Sequence, residues 1–155
     1  MNVNFALTGI LILIFALGLV RNVHGGTWFR IGIIFLMVGG ATEAATGVFP
    51  CDPGCPPQTG SFSQNAHLGI ALVFFPSIAF APLLVGLGRD QDQFWKSHRA
   101  YSIVSGLAGV GFGVGFSIAV LYSLTYVGLL QRLFLAFPFQ WIGIMANHLR
   151  FKVGP

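Results

Sequence analysis

The chain has 155 residues, of which 55% are hydrophobic and only 8% charged, with a formal net charge of +4. A soluble domain of this length carries more charge, so the composition places the chain among integral membrane proteins. The basic excess is small enough to follow from membrane topology, and no nucleic-acid partner is needed to explain it.

A helix of about 20 apolar residues crosses the roughly 30 Å hydrocarbon layer. Windows of that kind recur five times, over about residues 4–22, 28–49, 67–88, 101–124 and 126–149. The expectation is therefore an all-α integral membrane bundle of five transmembrane helices, forming a single domain over residues 1–155. The first span has no basic residue ahead of it and no small-x-small cleavage site, so it reads as a retained helix, not a cleaved signal peptide. Pro76 and Pro82 in the third span and Pro138 in the fifth each remove a backbone donor and are expected to kink their helices.

Basic residues set the orientation. Arg21 and Arg30 flank the first connection, Arg89, Lys96 and Arg99 the third, and Arg150 and Lys152 the tail. With five spans these regions share one side, read as the inside of a prokaryotic plasma membrane, and the N-terminus and the 50–66 loop fall outside. The segment "GRDQDQFWKSHRA", with Phe94 and Trp95 between its charges, suits a short amphipathic stretch at the headgroup level, and a solvated loop with interfacial aromatics is the preferred reading.

The fourth span contains "SGLAGVGFGVG", with Gly109, Gly111, Gly113 and Gly115 at small-xxx-small spacing. Glycine there lets a helix backbone approach closely, and these residues, with Phe-rich faces, are the expected contacts within the bundle or to other membrane subunits. No strand precedes the run and the dinucleotide fingerprint is missing, which sets phosphate binding aside.

An ionisable side chain inside a membrane helix costs about 2.5 to 3.5 kcal/mol on insertion scales, so each one calls for a partner. Glu43 and Arg132 fall at similar depth below the outer surface and are expected to pair, either as a structural ion pair or as part of a site. Asp52 and His67 bracket the loop "GVFPCDPGCPPQTGSFSQNAH" above them. Together these four residues form a candidate outer polar cluster in which burial and mutual charge would separate acid and base roles. Taken singly, Asp52 is turn chemistry and His67 an interfacial cap. Cys51 and Cys55, in "CDPGC", sit on the oxidising side and are read as a disulfide staple around Asp52, with a redox pair or two free thiols as alternatives. His24, His98 and His148 map to the inner ends of spans and do not suggest a haem or a metal site; no cofactor is expected beyond bound lipid.

The combination of "GVFPCD", then "HLGIA", then "GLLQR" resembles the uncharacterised membrane family called domain of unknown function 998. The resemblance runs through Gly47, Phe49, Pro50 and Asp52, through His67 and Ala71, and through Gln131 and Arg132. It implies a helical membrane fold and groups Asp52, His67 and Arg132, but brings no reaction. Relatives of that kind are expected to span six times, so this chain would start at their second helix, the first being lost by truncation or supplied by a neighbour. The functional expectation is a non-catalytic accessory subunit of a larger membrane complex. The alternative is a membrane enzyme or ligand-binding protein with an outward polar site for a lipid-like or small polar substrate. A proton-coupled carrier would need a polar path to the inner face, and none is evident.

Overall fold

The computed structural model of the protein describes residues 2–55, 60–88 and 93–153, with the side chains of residues 93–95, 152 and 153 left aside. Arg89 and the side chains of Phe94, Trp95 and Lys152 therefore lie outside the described residues. Five helices follow one another: α1 (Asn2–Asn22), α2 (Thr27–Thr46), α3 (Phe62–Leu87), α4 (Gln93–Leu121) and α5 (Val127–Val153). Each holds a stretch long and apolar enough to cross a bilayer, and the protein is a multi-pass membrane protein. Helix is the form such a chain must take, because hydrocarbon offers no partner to an unpaired backbone N–H or C=O.

Two helix starts depart from the sequence expectation. α3 begins at Phe62 because Ser61 caps it, its hydroxyl oxygen accepting the Gln64 N–H at 3.2 Å. α4 begins at Gln93, so the stretch from Gln93 to Ala100, expected as solvated loop, forms the first two turns or so of a membrane helix. Pro76, Pro82 and Pro138 all lie inside continuous helices.

Each helix packs antiparallel on the next, and α5 also touches α1 and α3, closing the bundle. Among the described residues α2 and α5 do not meet. Glycine permits the tightest crossings: a Cβ on Gly9 would strike the backbone of Gly40 and Ala44, and one on Gly106 the backbone of Leu83. In α4, a Cβ on Gly109 would stand 3.7 Å from Pro138 and one on Gly113 3.2 Å from Phe134, whereas Gly111 and Gly115 face open space. The glycine run expected to meet partners is thus split, and Gly109 and Gly113 serve the chain itself. Some of the aromatic rings also pack inward: Phe75 stands between Phe116 and Phe134, with centroids 5.4 and 5.5 Å away. At the other end of the core, the buried Trp141 donates its indole N–H to Ser102 Oγ at 2.9 Å and meets Phe15 edge-on at 5.7 Å.

Candidate functional site

α2 stops at Gly47, whose position against the Asn2 carbonyl leaves only 2.7 Å for a Cβ. Beyond it the chain reverses over Asp52, Pro53, Gly54 and Cys55. The Cys55 N–H donates to the Asp52 carbonyl at 2.8 Å, and Gly54 sits at φ 84°. Proline followed by a left-handed glycine is the residue order a type II turn demands, since proline presets the first angle and glycine carries no Cβ to clash at the second. A disulfide joins Cys51 to Cys55 across this turn, with Cα atoms 5.1 Å apart.

The turn aims the Asp52 side chain at the start of α3. One carboxylate oxygen accepts the Ser61 backbone N–H at 2.8 Å and the other accepts the Ser61 hydroxyl at 2.7 Å. Gln64 Oε1, fully buried, accepts the Asp52 backbone N–H at 2.8 Å. Ser63 donates its hydroxyl to the Pro50 carbonyl at 2.8 Å. Gly60 makes room for this network, because a Cβ there would stand 2.8 Å from Asp52 Oδ2 and 2.5 Å from Gln64 Cγ. The Ser61 N–H, and then its hydroxyl, hold the Asp52 carboxyl below its ordinary value of 3.8.

His67 lies one turn into α3, with Nδ1 2.9 Å from the Phe49 carbonyl oxygen. A carbonyl only accepts, so Nδ1 carries the proton and the lone pair of the neutral ring resides on Nε2. A ring nitrogen of His67 and the sulfurs of Cys51 and Cys55 lie within 4.8 Å of one another. The two sulfurs are bonded to each other and carry no thiolate, so the imidazole is the strongest donor of the three.

The structure brings His67 beside the two cysteines of the Asp52 turn, turns the Asp52 carboxylate to Ser61, and separates the other two expected members. Glu43 is buried within the bundle at 7% exposure, while Arg132 lies exposed on α5. The expected Glu43–Arg132 pair does not form, because their helices do not touch. Their depths do agree, at about 5 and 8 Å inside the ends of α2 and α5 by helical rise. Ser61 and Gln64 were missed by the sequence reading, although Ser-x-x-Gln before an apolar run is a capping-box spacing. Here the pattern is rewired: Asp52 takes the Ser61 N–H that the glutamine would otherwise accept. At the opposite end of the bundle, His98 and His148 are in ring contact with centroids 4.3 Å apart.

A family model described as protein of unknown function (DUF998) matches residues 1–148. The chain belongs to this family. No curated protein and no solved structure matches it. The DUF998 match takes in all five helices up to the last turns of α5, and with them Glu43, the Asp52 turn, His67 and Arg132.

Proposed function

We propose that this DUF998 protein is a non-catalytic accessory subunit of a larger membrane complex, with the 50–66 loop on the outer side as a structural cap. The observation that carries this reading is the dispersal of the four ionisable residues. A catalytic acid and base must come within hydrogen-bond reach of one reacting group. Instead Asp52 is spent on Ser61, His67 on the Phe49 carbonyl, Glu43 is enclosed, and Arg132 faces away from all three. The free face of α4 supports the subunit role: Gly111 and Gly115 have nothing within 4 Å of a Cβ position, and Leu107, Val114 and Ile118 stand exposed around them. The orientation is supported by Arg21, Arg30, Lys96, Arg99 and Arg150, which share the end of the bundle opposite the loop. Bound lipid fills what protein leaves uncovered.

Native mass spectrometry of gently solubilised membranes tests the subunit role, and a different polypeptide is expected to accompany the chain. A preparation with no such partner overturns it. If His67→Ala or Arg132→Ala abolished a host phenotype while leaving the assembly intact, the non-catalytic part would fall instead.

A further inference from the structure

α5 presents the wrong kind of face to lipid. On α1 the exposed side carries Leu7, Ile10, Leu11, Ile14 and Leu17, as hydrocarbon requires. On α5 the large exposed apolar residues are Leu129 and Leu133 at one end and Phe151 at the other. Between them the exposed positions are Ala136, Gln140, Gly143 and Asn147, followed by Arg150. Gln140 is the middle residue of the helix, about 20 Å from either end at 1.5 Å per residue. Neither Gln140 nor Asn147 bonds to another described side chain or backbone group. A bare amide at that depth has no water to turn to.

The spacing of these residues says what covers them. Arg132 aside, the exposed positions from Leu129, namely Leu133, Ala136, Gln140, Gly143, Asn147 and Arg150, follow at alternating intervals of four and three. That is the seam spacing of a left-handed pair of helices. One series of seam positions holds Leu133, Gln140 and Asn147; the other holds Ala136 and Gly143, small residues that let two backbones approach. In a membrane, two copies of one chain share an orientation, so their twofold axis runs along the bilayer normal and identical residues meet at the same depth. An amide carries both donors and an acceptor and can satisfy its own copy, as a lone carboxylate or guanidinium cannot. The charged groups, Arg132 beside the seam and Arg150 at its end, lie toward the two ends of the helix, where headgroups and water can reach them.

We propose that two copies of this chain pair through α5, with Gln140 against Gln140 and Asn147 against Asn147. This rests on the subunit reading insofar as protein covers this face, and it adds one partner, the chain itself. The test is co-purification of two differently tagged copies from the same membranes. Wild-type copies are expected to recover each other. Gln140→Leu with Asn147→Leu, changes that suit a lipid-facing helix and spare the core, are expected to lower that recovery at least tenfold. Gly143→Leu should do the same by blocking close approach, and Gly111→Leu on α4 should not. The proposal is overturned if wild-type copies do not recover each other, or if the double variant recovers its copy as well as wild type does. It is also overturned if a different polypeptide, lost from the double variant, occupies the face in place of a second copy; the subunit reading then stands. With neither copy nor other protein bound, both fall.

Discussion

Among the described residues, Asp52 takes both of its side-chain hydrogen bonds from Ser61, and so fixes where the loop joins α3. A carboxylate held this way has a folded pKa below its unfolded one. Its contribution is therefore complete above the ordinary value of 3.8 and is lost as pH falls through the lower folded value. Hydrogen exchange at the Ser61 and Gln64 amides should accelerate in that acid window, and Asp52→Asn should abolish the pH dependence. Gly60→Ala, which pushes a methyl into the same network, is expected to cost about 1 to 3 kcal/mol by overpacking. Loss of the disulfide in Cys51→Ser should cost about 2 kcal/mol on a loop-closure account, read as a lower melting temperature in detergent. Much of this cap was legible from residue types: proline and glycine marked the turn, and the cysteine spacing allowed the bridge. Ser61 and Gln64 escaped notice because their capping signature lay inside a stretch read as loop, ahead of the expected helix start.

At the scale of a helix, sequence fixes depth better than direction. Apolar length located all five helices, and the distance of Glu43 and Arg132 from their helix ends was nearly equal, as expected. Which way each residue points depends on which helices are neighbours, and no residue pattern orders five helices around a ring. Glu43 and Arg132 were paired by depth and parted by direction. The glycines of α4 show the opposite case. Residues two apart on a helix point about 200° away from each other, so Gly109 and Gly113 had to face one way and Gly111 and Gly115 the other. Substitutions should sort accordingly. Gly106→Ala and Gly9→Ala, whose added methyls meet main chain, are expected to destabilise by about 1 to 3 kcal/mol in thermal melts, and Gly111→Ala to stay within about 0.5 kcal/mol.

For the molecule as a whole, the described residues form a closed circuit in which every helix keeps its chain neighbours and α5 turns back to α1. If the loop end faces outward, Lys96 lies on the inside, and a membrane-impermeant amine reagent applied to intact cells should leave it unmodified until the membrane is breached. Labelling before that point would invert the topology. The circuit also has an order in time. A ribosome delivers α1 well before α5, and the contact between them runs through Phe15 with Trp141 and Gly18 with Leu149. Until α5 has entered the bilayer, the flank of α1 that carries Phe15 has only lipid against it. The interior of the bundle is then sealed only when the fifth helix arrives, and a nascent chain arrested before Trp141 is an open sheet of helices still short of that stave.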